Sequence, residues 1–146
     1  MITVRNAIPE DIPRILEMFN ESITPVWSQS AIQAELEKSD SFFLVAVCDE
    51  VVGFAVIRQV GDDGELLQIA TCPTVRRTGV GDALLCAVIG FAAKEKYKNL
   101  HLEVRKSNEP AINLYKKHGF ERVRTRTDYY NSPPEDAIVM VRSFSI

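Results

Sequence analysis

The 146-residue sequence is poor in residues that bind metals or cross-link chains, with three cysteines and two histidines. Cys48, Cys72 and Cys86 stand 24 and 14 residues apart, with no C-x-x-C and no paired-histidine spacing. That pattern argues against a disulfide framework and against zinc. All three are expected to be reduced and mostly in the core, because a free cysteine usually behaves as a small hydrophobe; reactive-thiol chemistry at Cys72 is a minor alternative. His101 falls in a strand and His118 at a helix end, and without other ligands beside them both read as surface or packing residues. No metal is expected. Long apolar runs are missing too. The longest, Phe42 to Cys48 and Ala83 to Ala93, fall short of the ~20 residues that cross a bilayer. The polar, strand-like start, Met1 to Asn6, lacks the basic-then-apolar pattern of a signal peptide. The expectation is a cytoplasmic protein with no membrane partner.

What is present fits one folded domain over residues 1–146, since domains average roughly 150 residues. At 46% hydrophobic and 25% charged residues, the composition is that of a globular chain able to bury a core without staples. The net charge of −3 hides a split. Residues 1–75 hold 4 basic and 12 acidic side chains, and residues 76–146 hold 13 basic and 8 acidic ones. The basic charges are dispersed among apolar positions, which suits a small polyanion such as a nucleotide-like cofactor better than nucleic acid. Solvated helix faces are the plainer reading of the same charges.

Periodicity predicts alternating strands and helices. Ile2 and Val4 open a strand, and a helix follows with Ile12, Ile15, Leu16 and Phe19 on one face, ending near Asn20. Ser28 is a candidate N-cap for a short second helix ending at Asp40-Ser41. Phe42 to Cys48 and Val51 to Val60 read as a hairpin, and Glu65 to Cys72 as a fourth strand after the turn Gly61 to Gly64. Val80 to Glu95 is the longest helix. Leu100, Leu102 and Val104 alternate as a strand, and Asn108-Glu109-Pro110 opens a helix stopped by Gly119. Phe120 to Arg126 and Ala137 to Val141 complete the sheet, with Thr127 to Asp136 between them expected as a polar functional loop.

The most informative stretch runs from Gln68 to Asp82. A strand leads into a glycine-containing loop that opens a helix, where unpaired N–H groups and the helix dipole favour an anion. Arg76 and Arg77 add positive charge. A plain tight turn is the alternative. No G-K-[ST] follows, so it is not a P-loop, and the G-x-G-x-x-G spacing of dinucleotide folds is missing. Arg76-x-x-Gly79-x-Gly81 instead resembles the acetyl-CoA signature R/Q-x-x-G-x-G/A of the GNAT N-acetyltransferases. The segment from Leu102-Glu103-Val104-Arg105 through Ser107-Asn108, Ala111-Ile112 and Leu114-Tyr115 to Gly119-Phe120 is similar to the next strand, helix and strand of that family. Similarity to the bacterial ribosomal-protein-alanine N-acetyltransferases extends to Asp128-Tyr129-Tyr130, Glu135 to Met140 and Trp27-Ser28. It is strong over residues 65–142 and weak before them.

The resemblance implies an α/β GNAT fold: a mixed, largely antiparallel seven-stranded sheet flanked by helices and splayed between strands 4 and 5. It implies direct transfer from acetyl-CoA to an amine in a ternary complex, in keeping with the lack of an obvious Ser-His or Cys-His pair. Glu103 matches the family's general base; otherwise it reads as a strand-end carboxylate paired with Arg105 or a lysine. Tyr115 matches the general acid that protonates the departing thiolate, and otherwise packs in the core. Ile69, Ala70 and Thr71 are implied to hold the acetyl carbonyl and pantetheine through their backbone. Arg76, Arg77, Thr78, Gly79, Val80, Gly81 and Asp82 would hold the diphosphate. Asn108 would touch the coenzyme while also capping its helix. Trp27, Tyr129 and Tyr130 are the implied acceptor-binding residues, with edge packing as the alternative for the tyrosines.

An α-amine is neutral at pH 7 far more often than a lysine, a gap of about 2.5 pKa units or ~3.4 kcal/mol. A single carboxylate base therefore suits a protein N-terminus, and the family points to a ribosomal one. Glu21, Glu35 and Glu37 near Trp27 would attract a cationic peptide. A monomer or weak dimer is expected. Three positions depart from the family pattern: Val75 stands for an aromatic, Arg76 for the common Gln, and Asp82 for a basic or small residue. A carboxylate at Asp82 favours the helix dipole but repels a diphosphate unless it points away. Two alternatives remain open, a GNAT enzyme acting on a lysine or small amine and a non-catalytic acyl-CoA-binding module.

Overall fold

The computed structural model describes residues 1–22, 27–76, 78–131 and 133–144. Its strands are β1 (Thr3–Asn6), β2 (Ser41–Cys48), β3 (Glu50–Val60), β4 (Asp63–Thr71), β5 (Asn99–Arg105), β6 (Glu121–Asn131) and β7 (Pro134–Ser143). The helices are α1 (Ile12–Ser22), α2 (Gln29–Glu37), α3 (Val80–Lys94) and α4 (Glu109–Lys117). The strands form one sheet in the order β1-β2-β3-β4-β5-β7-β6, with β4 and β5 as the parallel pair. The expected mixed, seven-stranded sheet flanked by helices is what the chain builds.

Local signals set the helix starts. Ser28 Oγ accepts the Ala31 N–H at 3.1 Å, and Asn108 Oδ1 accepts the Ala111 N–H at 3.3 Å, each supplying an acceptor that a helix N-terminus lacks. Gly119, at φ +91°, ends α4 in the left-handed region that glycine enters freely. Packing then sorts the helices onto two faces. Ile15, Met18 and Phe19 of α1 and Ile32 of α2 close over Val45, Phe54 and Val56. On the other face Leu84, Leu85 and Val88 of α3 and Tyr115 of α4 meet Ile57, Leu102 and Met140. Cys72 is buried in the first of these cores, whereas Cys86 is exposed.

The expected loop from Thr127 to Asp136 is corrected by the structure. β6 and β7 form a long hairpin, with Tyr130 opposite Glu135 and Asn131 opposite Pro134. The polarity that suggested a loop belongs to an edge strand, whose residues are mostly exposed. An irregularity between Arg126 and Tyr130 interrupts the register, with Asp128 at φ +53° and its N–H held by Asp136 Oδ1 at 2.9 Å. This bulge bends the strand and sets the direction of the two tyrosines beside it.

One junction in the sheet is open. β4 pairs with β5 only from Gly64 opposite Leu100 to Leu66 opposite Leu102. Beyond that point β4 continues to Thr71 and β5 to Arg105 without pairing each other. The divergence begins where Leu67 is skipped in the β3–β4 register, between Val56 opposite Gln68 and Ile57 opposite Leu66. An extra residue bends the strand that carries it, and here it accompanies the departure of β4 from β5.

Candidate active site

The splay leaves backbone donors facing a gap. The Cys72 N–H donates to Val52 O of β3 at 2.9 Å. Because N–H directions alternate along an antiparallel strand, the amides of Ile69 and Thr71 point away from β3 toward β5, while that of Ala70 points back into the sheet. Of these three expected residues, two therefore present N–H groups to the opening.

Past β4, a turn runs through Arg76 and Thr78 into α3, and the Thr78 hydroxyl donates to Val75 O. Arg77 lies outside the described residues. Gly79 caps the helix at φ +92° without a side chain, and Gly79 O accepts the Ala83 N–H at 3.0 Å. The N–H groups of Val80, Gly81 and Asp82 come before that first helical bond and have no intrahelical acceptor. A Cβ on Gly81 would stand 3.3 Å from Leu114 Cδ2, so the small residue there lets α3 approach α4. Asp82 is turned to α4. Its Oδ1 accepts Lys117 Nζ at 3.0 Å and meets His118 Nε2 at 2.8 Å. The His118 contact, then Lys117, holds its carboxyl below the usual range. The carboxylate that threatened an anion site is thus matched by two basic groups.

On the other side of the opening stands Glu103, the first β5 residue beyond the last pair with β4. Among the described residues its partner is neither Arg105 nor a lysine but an arginine from another strand. Arg126 Nη1, brought from β6 across β7, donates to Glu103 Oε1 at 3.2 Å and Oε2 at 3.3 Å. Tyr115 of α4 is buried in the core against Phe120, ring centroids 5.8 Å apart. Burial pushes its phenol well above the ordinary range, with a further push from Tyr130. It stays protonated at any ordinary pH.

Tyr129 and Tyr130 meet edge to face with centroids 5.0 Å apart. The Arg126 guanidinium lies 4.4 Å over the Tyr129 ring, and that of Arg105 lies 4.3 Å over Tyr130, a geometry that favours the cation. Burial, and next the charge of Glu103, push the Tyr130 phenol up to about 12. Glu103, Tyr129 and Tyr130 are linked at one end of the splay through Arg126, while Tyr115 stays in the core beneath α4. Sequence reasoning missed Arg126, whose approach to Glu103 follows only from the β5-β7-β6 register.

Two residues expected on the acceptor side make contacts within the fold. Trp27 stacks on Phe19, centroids 5.4 Å apart and planes 17° from parallel, and packs against the α1–α2 core. Glu35 is no peptide trap: it is buried and bound to Arg58 at 2.7 Å and Lys38 at 3.2 Å. Among the described residues no helix is long and apolar enough to cross a membrane, and no group of His, Cys, Asp and Glu is arranged to hold a metal.

The comparisons agree with this architecture. Residues 12–120 match the acetyltransferase (GNAT) family. The chain is 34% identical over 139 residues to a putative ribosomal protein bS18-alanine N-acetyltransferase of Bacillus subtilis, covering 94% of this chain and 92% of that protein. It is 30% identical over 148 residues to the ribosomal protein bS18-alanine N-acetyltransferase of Escherichia coli, covering all of both chains. The crystal structure of the ribosomal-protein-S18-alanine N-acetyltransferase from Escherichia coli superposes with a TM-score of 0.92 over 100% of this chain and 96% of that one. A splayed GNAT sheet, a family match over most of the chain and full-length relatives lead to one conclusion: the chain belongs to the GNAT acetyltransferase family and is an N-acetyltransferase.

Proposed function

We propose that this protein transfers an acetyl group from acetyl-CoA to the N-terminal α-amine of a protein, of the ribosomal protein bS18 type with alanine first. The observation that carries the reading is Glu103 at the mouth of the β4–β5 splay, joined through Arg126 to the Tyr129–Tyr130 pair. Acetyl-CoA would supply an acyl group activated as a thioester. The residues present suit such a donor. Main-chain N–H groups of Ile69 and Thr71 point into the gap, and those of Val80, Gly81 and Asp82 stand at the positive end of α3, which favours a diphosphate. Arg76 and Thr78 border the same turn, with Arg77 between them in sequence. The glycine at Gly79 supplies the left-handed backbone the turn requires.

In this reading the Ile69 and Thr71 amides hold the acetyl carbonyl and the pantetheine arm, where charge develops during transfer. Glu103 accepts a proton from the incoming ammonium and so frees the nitrogen lone pair. Tyr115 Oη keeps its proton until the departing sulfur needs it. Because the phenol is a weaker acid than a thiol, that transfer accompanies C–S cleavage rather than preceding it. Tyr129 and Tyr130 hold the acceptor's backbone, and Asn108 keeps its cap while bordering the coenzyme. Reaction within a ternary complex requires no acyl-enzyme.

The test is an acetylation assay with acetyl-CoA and short peptides differing in the first residue, each with a free or blocked N-terminus and an internal lysine, read by mass spectrometry. Acetyl on the free α-amine, greatest for alanine and lowered about 10²- to 10⁴-fold by Glu103→Gln, is the expected outcome. Modification of the blocked peptides on lysine would assign the enzyme to side-chain amines instead. Coenzyme binding without transfer to any peptide would favour the acyl-CoA-binding alternative.

A further inference from the structure

Arg126 sits where the acceptor's charged nitrogen has to arrive. Its guanidinium bonds both oxygens of Glu103 and lies over the Tyr129 ring, so a cation already occupies the base and its aromatic neighbour. Its setting differs from that of Arg105, the other arginine at this end of the site. Arg105 is held by Pro133 O at 3.0 Å and Glu135 Oε1 at 3.4 Å, and its side chain is 19% exposed. Arg126 projects from an edge strand, is 46% exposed, and meets a Glu103 side chain that is itself 24% exposed. Arg105 is built in, whereas Arg126 has solvent to withdraw into.

An incoming ammonium must bring its N–H to a Glu103 oxygen before the proton can pass, and those oxygens are what Arg126 binds. Two cations crowded onto one carboxylate repel each other. We propose that Arg126 is a positioning residue that stands in for the acceptor's ammonium. It holds Glu103 in place in the empty enzyme and is displaced when the amine binds, so that only a cationic acceptor takes the base. A blocked N-terminus carries no charge to trade for the guanidinium. The inference rests on the assignment of Glu103 as the base.

A partly exposed ion pair is worth up to about 1 kcal/mol, so removing the competitor is expected to lower the acceptor KM by about three- to fivefold. The experiment measures steady-state kinetics of Arg126→Gln, Arg126→Lys and Arg124→Gln with a free-amine peptide at saturating acetyl-CoA. A lower peptide KM in Arg126→Gln, with Arg126→Lys near wild type, is the expected result. Arg124→Gln removes the same charge two residues earlier on β6 without touching a bond to Glu103, and should leave KM nearly unmoved. An unchanged or raised KM in Arg126→Gln, or an equal fall in Arg124→Gln, would overturn the proposal. Should Arg126→Gln fail to fold, a crystal of the wild-type protein with a bound free-amine peptide gives the answer. Arg126 withdrawn from Glu103 supports the exchange, and the pair intact beside the amine refutes it. Full turnover in Glu103→Gln would remove the base assignment itself. Turnover lost there with KM unmoved in Arg126→Gln would remove only the exchange.

Discussion

β3 and β5 belong to the same sheet, yet they meet their surroundings differently. β3 is buried at seven successive residues, Val51 to Ile57, whereas β5 alternates buried and half-exposed residues along its whole length. The first strand is covered on both faces, by α1 on one and α3 on the other. The second buries Leu100, Leu102 and Val104 under α3 and α4 and leaves His101, Glu103 and Arg105 on the other face. On the proposed reading the chain thus separates holding the fold from doing the chemistry. The β2–β3–β4 half packs between helices, whereas in the other half β5 keeps one polar face and β6 is mostly exposed, with only Ala137 to Met140 of β7 buried in succession between them. The splay lies between these regimes, so on the proposed reading an amine arriving at Glu103 has the covered half on one side and accessible charge on the other.

The comparison is sharpened most by truncating one residue in each half. Phe54 is fully buried in β3, with its ring 4.8 Å from Phe19 and 5.7 Å from Phe43. Phe54→Ala should cost about 3–5 kcal/mol through lost transfer energy and the cavity left behind. Val123 on β6 is 55% exposed, and Val123→Ala should stay within about 0.5 kcal/mol. Denaturant melts of the two variants measure the contrast. Equal losses would mean that the open half carries as much of the stability as the covered one.

The same contrast explains what could be read from the sequence. Continuous apolar runs and 3.6-residue periodicity announced β2, β3 and α3, because burial on both faces leaves little choice of residue. Ser28 and Asn108 announced their caps because the side chain bonds within three residues. β6 was legible as strand up to Arg126, but its continuation from Thr127 and the hairpin with β7 were not: an exposed edge tolerates Arg, Asp, Tyr and Asn, the residues that also fill loops. Gly64 was assigned to a turn, but it is small for another reason: a Cβ there would stand 2.5 Å from the Tyr97 ring. The Glu103–Arg126 pair spans 23 residues and depends on strand order. The Asp82–His118 contact spans 36 and depends on α3 packing against α4. No local pattern encodes either.

A smaller effect is expected where the covered half meets the splay. Gly79 has φ +92° and open space around its Cα, with no atom within 4 Å of an added Cβ. Gly79→Ala therefore meets no clash but holds alanine in the left-handed region, at about 1–2 kcal/mol. The new methyl group would also stand at the turn assigned to the diphosphate. Thermal melts should show the modest loss, and the KM for acetyl-CoA should rise while that for the peptide holds. A peptide KM that rose equally would mean that the turn shapes the whole cleft rather than the coenzyme end alone.

The smallest effect concerns Asp82, and its pH dependence carries the information. His118 and Lys117 hold the folded carboxyl below its ordinary range. A group depressed in the folded state stabilises it above the unfolded pKa of about 4, and that contribution is lost as pH falls through the lower folded value. The pair is partly exposed, with side-chain exposures of 38% for Asp82 and 67% for Lys117, so solvent screening limits its worth to the order of half a kcal/mol. Asp82→Asn should melt slightly below wild type at pH 7, and the two curves should converge in acid. The coenzyme should respond in the opposite sense, because the substitution removes a negative charge from the first turn of α3 and leaves Lys117 and His118 without their anion. A lower KM for acetyl-CoA in a slightly less stable protein would show that Asp82 joins α3 to α4 at the expense of anion affinity. A higher KM would mean that the contact to α4 is what keeps the glycine turn in its binding shape.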